Sequence, residues 1–451
     1  MQHYTERLGT ASIGTLLVKL SLPSVAAAVT TSLYNVVDTF WVAKLGHEAI
    51  AALTIIFPFQ IMYYAIGGGT GIGLSALVSR RFGERNIEAT NHAAGQVFVL
   101  SIFWGFIFML IGIFFAESIL PAMGATPDIL EYSIQYMVIV ACGAIPMIFS
   151  QVISSLIRGS GDAVKAMMIM IIGCILNIIL DPFLILGLGP FPKMGVSGAA
   201  LATVIAQSCG ALLGLYYLLA HKTAFKIRLS HLKPDIAILR DIYRVGASAT
   251  ILQVTESLGF MLFNKVASSY GSIYVAALGM AMRVSDLTFM PIIGLSNALL
   301  PIVGYNFGTG DFKRLWRAVK LASLSLAALL VTLSVGIVVF APQLISIFSS
   351  EPALLKATIP AMRIMLSTLV FVGLTMLFIT TFQGLSRGLL ALVLSLARQL
   401  IFFIPLMYLL SFLLGINGVW LSLPASDILG FIIALLFVLR EYRKRQKVKS
   451  I

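Results

Sequence analysis

The chain has 451 residues, 59% of them hydrophobic and 11% charged, with 31 Lys and Arg against 18 Asp and Glu for a net charge of +13. A water-soluble protein of this length carries roughly a quarter charged residues, which excludes a soluble enzyme and a soluble nucleic-acid-binding domain. The charges form short islands between apolar stretches of about 20 residues or more, the length that crosses a hydrocarbon core of ~30 Å. Backbone groups in lipid must be satisfied within their own segment, so these stretches read as helices. They are too apolar for the alternating strands of an outer-membrane barrel.

In chain order the expected spans are 15–42, 52–79, 93–117, 131–157, 165–187, 196–220, 241–267, 275–305, 316–340, 355–383, 388–414 and 418–440. The first is too long for a cleaved signal, contains Asp38 and lacks a small-residue cleavage site. Cys142, Cys174 and Cys209 fall inside spans without paired spacing, and are expected to be small core residues. Basic residues alternate by loop. Arg80, Arg81 and Arg85 follow span 2, and Arg158 and Lys165 follow span 4. Lys222, Lys226, Arg228, Lys233 and Arg240 follow span 6. Lys313, Arg314 and Arg317 follow span 8, Arg387 follows span 10, and the tail holds Arg443, Lys444, Arg445, Lys447 and Lys449. Loops 117–131 and 414–418 have no basic residue, with Lys44, Lys193 and Lys356 as exceptions on that side. The positive-inside rule then expects an even number of spans in the cell inner membrane, with both termini cytoplasmic. The positive charge is a topology signal, and no nucleic-acid partner is expected.

The two halves repeat. A shift of 225 residues lays Lys44-Leu45-Gly46 on Ser269-Tyr270-Gly271, Ala51-Ala52-Leu53 on Ala276-Ala277-Leu278, Phe82-Gly83 on Phe307-Gly308, and Gly159 on Gly384. With small gaps, Asp181-Pro182 meets the region of Pro405 and Leu406, and Gly195-Val196-Ser197-Gly198 meets Gly415-Ile416-Asn417-Gly418. The expected architecture is an all-α polytopic membrane protein of 12 helices in two pseudo-symmetric six-helix lobes around a central cavity. The N-terminal lobe covers 1–220, a cytoplasmic linker 221–240, and the C-terminal lobe with its basic tail 241–451. Parallel lobes related by an axis along the membrane normal are one solution to alternating access.

A carboxylate at membrane depth needs a partner, a proton, a cation or water. Asp38 shares a helical face with Thr31, Tyr34 and Asn35, and Asp181 shares one with Asn177. Pro182 weakens the helix beside Asp181. Thr203 and Gln207 form a further polar pair, and Glu256 follows Gln253 by three residues. Carboxylate, amide and hydroxyl oxygens suit a hard cation such as Na⁺, or a proton. Asp286 is expected to pair with Arg283 along its own helix, whereas Asp427 has no evident partner. The run Gly67 to Gly73 has small-xxx-small spacing at Gly67/Gly71 and Gly69/Gly73, a signature of close helix approach and not of nucleotide binding. His3, His47, His92, His221 and His231 lie in loops or at span ends, so no zinc set or catalytic triad is expected. Phe260 and Met261, or Phe289 and Met290, offer an adaptable apolar wall.

The runs Tyr34 to Gly46 (YNVVDTFWVAKLG), Ser79 to Gly83 (SRRFG), Arg158 to Asp162 (RGSGD), Asn177 to Pro182 (NIILDP), Gly195 to Thr203 (GVSGAALAT) and Pro301 to Gly308 (PIVGYNFG) stand in order across both halves. On these the chain resembles the multidrug and toxic compound extrusion (MATE) family. The resemblance implies a V-shaped pair of lobes exchanging small organic cations for H⁺ or Na⁺. In the branch similar to DinF a cation site lies in the N-terminal lobe, and that pattern carries over to Asp38, Asn177, Asp181 and Thr203. These four would ligate Na⁺ in a sodium-coupled protein. The branch similar to NorM uses a glutamate on span 7, matched by Glu256, and an aspartate on span 10, which has no acidic residue here. Tyr34, Asn35, Gln207, Gln253 and Glu256 are the candidate cavity residues. The expected protein is a multidrug efflux antiporter, not an enzyme, with no cofactor beyond its coupling ion. Its partners would be organic cations and the lipid bilayer, and nothing demands more than a monomer. The rival reading is a flippase for lipid or lipid-linked saccharide, whose cavity would call for basic residues.

Overall fold

The computed structural model describes residues 2–346 and 351–447. Lys449, and the side chains of His3 and Lys447, lie outside the described residues. A short helix α1 (Gln2–Thr10) precedes α2 (Ile13–Ala43), α3 (His47–Gly83), α4 (Ile87–Phe114) and the short α5 (Ala116–Ala122). α6 (Pro127–Cys142) and α7 (Ala144–Gly159) form one span bent by 52° at Gly143. α8 (Ala163–Leu186) and α9 (Val196–Leu219) complete the first lobe. The second lobe begins with α10 (Ile236–Ser268), α11 (Ser272–Gly308) and α12 (Phe312–Ser346). A 3₁₀ turn at Leu366–Thr368 joins α13 (Pro352–Met365) to α14 (Leu369–Gly384). A π-helical stretch, Ala397–Phe403, joins α15 (Gly388–Leu396) to α16 (Ile404–Leu414), and α17 (Ile416–Lys447) is last. With each interrupted pair counted as one span, up to 12 spans among the described residues are long and apolar enough to cross a membrane.

Several helices overrun their expected spans. α3 continues through Arg80 and Arg81, and α17 carries Arg443, Lys444 and Arg445 on its last turns. Outside the hydrocarbon the backbone hydrogen bonds persist, so helices end at their caps and not at the membrane surface. α10 likewise starts inside the expected linker, because the Asp235 carboxylate caps it by accepting from the amides of Ala237 (2.8 Å) and Ile238 (3.2 Å). The rest of the linker is fastened to α4. Gln96 Nε2 donates to the carbonyls of His231 (3.1 Å) and Lys233 (2.9 Å), and the His231 ring meets Glu88 at 2.8 Å.

The repeat is visible in the backbone. Gly46 (φ 118) and Gly271 (φ 127) open equivalent helices in a conformation closed to residues with a Cβ. Gly195 (φ 58) and Gly415 (φ 60) do the same three residues before Gly198 and Gly418, whose lack of a Cβ lets α9 and α17 approach the carbonyls of Leu184 and Leu410. Gly159 packs on Ser75 and Val78, and Gly384 on Leu300 and Val303, the positions one repeat later.

The lobes meet through the same kind of contact. Gly67 and Gly71 face Gln151 and Ser155 within the first lobe, whereas Gly69 and Gly73 face Gly246, Thr250 and Ile242 of α10. The two small-residue stripes thus serve two different neighbours. Gly83 and Gly308, equivalent in the repeat, touch each other's helices reciprocally, which places the pseudo-twofold axis between them. These contacts all lie toward the end of the bundle that carries the basic islands. There Arg80 reaches Ser386 (3.0 Å) and Asp241 (3.5 Å) of the second lobe, and Arg81 reaches Asp241 at 3.8 Å. The first half of α2 also packs on the second half of α11, Gly294 admitting Val25. Away from that end the lobes part around cavities.

Asp241 joins both arginines across the lobe junction while remaining partly exposed, a setting in which a pair is worth about 0.5–1 kcal/mol. Asp241→Asn is therefore expected to raise the population open at the basic end by roughly two- to fivefold. Spin labels at Lys222 and Arg440, one on each lobe, would register this as a gain in the long-distance component. An unchanged distance distribution would show that the small-residue contacts alone hold the end closed.

Candidate functional site

The last turns of α2 put Thr31, Tyr34, Asn35 and Asp38 on one face, and all four line a cavity of about 690 Å³. α3 contributes Phe57, Gln60 and Tyr64, α6 contributes Tyr136, α7 Gln151, α9 Thr203 and α10 Gln253. No Lys or Arg is in this wall. Gln60 Nε2 donates to the Tyr136 hydroxyl (3.1 Å) and Gln151 Nε2 to the Tyr64 carbonyl (3.2 Å), which fixes part of the polar lining.

Behind the cavity wall α2 packs along α8 and α8 along α9. Asn177 and Asp181 stand one turn apart on α8, which runs unbroken past Pro182. Asn177 Nδ2 donates to Asp181 Oδ1 (3.2 Å) and to Thr203 Oγ1 (3.4 Å), so the three form one cluster. Asp181 is 0% exposed and Asn177 2%. Asp38 stands on α2, the helix that packs along α8. Three oxygens remain buried with no donor: Asp38 Oδ1, Asn177 Oδ1 and Asp181 Oδ2. Buried acceptors are nearly always satisfied, and a hard cation or a shared proton satisfies carboxylate and amide oxygens. The donor set fits Na⁺ or H⁺. It does not fit a transition metal, since among the described residues no group of three or more His, Cys, Asp and Glu side chains could hold one.

A second polar centre lies in the other lobe, and the sequence reading missed its key residue. Arg398, on the π-helical stretch, donates from Nη1 to Asp427 Oδ1 (3.0 Å) and from Nη2 to Glu256 Oε1 (2.9 Å). Asp427, without an evident partner in the sequence, is thus half of a buried ion pair. The extra residue of a π-turn shifts the facing of Arg398, and helical periodicity alone does not announce such an insertion. The lack of a Cβ at Gly259 admits Gln399 beside it. Glu256, Asp286, Arg398, Gln399 and Asp427 line a cavity of about 290 Å³. Asp286 faces this cavity, and among the described residues it makes no ion pair with Arg283, contrary to expectation. The exposed helix surface leaves both side chains free to point apart.

A middle cavity of about 330 Å³ between the lobes is lined by Gln253 and Glu256. Gln253 also borders the first cavity and Glu256 the second, so α10 contributes to the walls of all three. Tyr34, Asn35, Gln253 and Glu256 each line at least one of these cavities. Gln207 lies beside Gly173 of α8. Cys174 is buried, with its sulfur 3.7 Å from Thr31 Oγ1, and Cys209 is partly buried; Cys142 is exposed and is not a core residue.

Removing Arg398 would strand two acids, and breaking a buried pair costs about 3–5 kcal/mol. Arg398→Gln is expected to lower the melting temperature strongly, and adding Glu256→Gln and Asp427→Asn to recover most of the loss. A thermal melt of the three-site variant as poor as that of the single one would show that the charges do not account for the effect.

The MatE family model matches the chain over residues 23–183 and again over 249–409, one match in each lobe. An FAD transporter of Shewanella oneidensis is 26% identical over 419 residues, covering 93% of each chain. The multidrug export protein MepA of Staphylococcus haemolyticus is 24% identical over 440 residues, covering 97% of this chain and 96% of its own. The solved structure of a multidrug resistance MATE family transporter of the MOP superfamily, in an outward-facing conformation, superposes with a TM-score of 0.92 at 29% identity over 98% of each chain. With both lobes matched, and the paired six-helix architecture shared throughout, the chain belongs to the MatE family and is a multi-pass membrane transport protein rather than an enzyme.

Proposed function

We propose that the protein is a secondary active multidrug efflux antiporter, exporting lipophilic organic cations in exchange for H⁺ or Na⁺. The observation that carries this reading is the acid-bearing, aromatic-walled cavity of about 690 Å³ set against the buried cluster, with one oxygen each of Asp38, Asn177 and Asp181 lacking a donor among the described residues. Its volume lies within the range for drug-sized ligands. Phe57, Tyr34, Tyr64 and Tyr136 offer faces to a flat, delocalised cation, and Asp38 offers the charge.

Asp38, Asn177, Asp181 and Thr203 form the coupling site in this reading. With the cavity open away from the basic end, H⁺ or Na⁺ enters the cluster, neutralises the acids and weakens the hold on the organic cation, which leaves. Closure of that side and opening of the basic end, taken to be cytoplasmic, releases the ion and restores a negative cavity. Exchange requires only that ion and drug compete for the same negative charge, so that each favours its own conformation.

The FAD transporter among the relatives raises an anionic substrate, and the flippase reading likewise calls for cationic side chains to hold phosphate. The first cavity has none, and both terminal nitrogens of Arg398 in the second are held by carboxylates. The observations favour a cation.

Asp38→Asn keeps the size of the side chain but cannot exchange a proton or hold a cation with full charge. Ethidium efflux from intact cells is expected to fall to the level of cells without the transporter, at equal expression in the membrane. Efflux at the wild-type rate would remove the coupling role. Dye movement in proteoliposomes under separately imposed pH and sodium gradients then identifies the ion.

A further inference from the structure

A void of about 780 Å³ lies outside the path between the lobes, on the flank of the second lobe between the start of α12 and the end of α17. Both helix segments stand at the basic end of the bundle. Lys313, Trp316, Arg317 and Lys320 line it from α12 at the i, i+3, i+4 and i+7 spacing of one helical face. Leu435, Val438, Leu439 and Tyr442 line it from α17 with the same spacing.

The charge there is not compensated. Arg445 is engaged, with Nε donating to Glu441 Oε1 at 2.8 Å and its guanidinium over the rings of Phe307 (5.0 Å) and Phe312 (4.7 Å). Glu441 is shared with Arg387, also at 2.8 Å. Among the described residues no carboxylate is within ion-pair distance of Lys313, Arg317 or Lys320. Three positive side chains therefore converge on one void.

A second observation is independent of charge. Trp316 is 9% exposed, its ring edge-on to Tyr442 at 5.4 Å, and among the described residues its buried Nε1–H has no acceptor. Two turns further along α12, Ser323 Oγ is also buried without a partner. Buried donors without acceptors are rare in a native fold, and one lining a cationic void calls for an oxygen-bearing ligand. The remaining walls, Val319, Phe378, Leu435 and Val438, are apolar. From Lys313 to Ser323 the face descends about 15 Å along the helix, from the level of head groups into hydrocarbon.

We propose that this void binds an anionic phospholipid of the leaflet at the basic end. Lys313, Arg317 and Lys320 hold its phosphodiester, an ester or phosphate oxygen accepts from Trp316 Nε1, and an acyl chain fills the groove beside Val319 and Val438. A soluble phosphate would satisfy the cations and leave the apolar part of the void unfilled, so the lipid is the ligand the whole lining fits. Basic pockets between spans on this side of a membrane are a recurrent setting for such head groups.

The test uses the full-length transporter, delipidated in a neutral detergent and examined by native mass spectrometry, which counts lipids on folded protein only. Phosphatidylglycerol is expected to remain bound and to raise the melting temperature, whereas phosphatidylcholine with the same chains and inorganic phosphate do neither. Each surface cation contributes roughly a fivefold gain toward an anionic lipid. Lys313→Gln with Arg317→Gln and Lys320→Gln should therefore weaken retention by about a hundredfold. Trp316→Phe, which keeps the ring against Tyr442, should weaken it several-fold. Equal retention of phosphatidylcholine would overturn the proposal, as would undiminished phosphatidylglycerol binding in both variants. Displacement of the lipid by inorganic phosphate, with stabilisation by phosphate alone, would assign the site to a soluble anion and would equally overturn it.

Discussion

The structure is governed by the cost of an unpartnered polar group at membrane depth. Charged side chains are few in this bundle, and the two lobes treat theirs in opposite ways. In the second lobe Arg398 lies between Glu256 and Asp427, so each acid has a cation within 3.0 Å. In the first, among the described residues, Asp38 and Asp181 make no ion pair, and Asn177 joins Asp181 to Thr203. One lobe is supplied with its counter-charge by the fold. In the proposed function the other acquires it from solution, and a site that must borrow positive charge is one whose occupancy can drive transport.

Alternating exposure of such a site needs lobes that meet closely yet separate without great loss. The contacts that close the basic end suit this. Gly69, Gly73, Gly83 and Gly308 bring backbone against backbone with little interdigitation, so the surfaces can part without extracting large side chains from pockets. Arg80, Arg81 and Asp241 add a partly exposed ionic contact, weak enough to break during each cycle. The linker travels with the first lobe up to α10, since His231 and its neighbours are fastened to α4.

Local chemistry decided much of this molecule before any packing. Runs of apolar residues set the number of spans, since a helix must be about 20 residues long to cross the hydrocarbon core. Gly46 and Gly271, or Gly195 and Gly415, recur in the chain because the same backbone conformation recurs in each lobe. The face holding Thr31, Tyr34, Asn35 and Asp38 followed from helical periodicity, and so did the two glycine stripes of α3.

What tertiary structure alone decided was which polar groups find one another. Periodicity places side chains on faces within a helix but is silent on the helix opposite, and hence Asp427 and Arg398, 29 residues apart, were not recognisable as partners. Gln207 lay at good helical spacing from Thr203 yet packs beside Gly173, since rotation of α9 against α8 is set by the small residues between them. Asp286 had Arg283 three residues away but faces a cavity formed with six other elements. The sequence determined the spans, the duplication and the polar face of α2. The pairing of charges across helices, the breaks at Gly143 and in the π-helical stretch, and the cavities they create arose from side chains meeting in three dimensions, where a neighbour's distance is independent of separation along the chain.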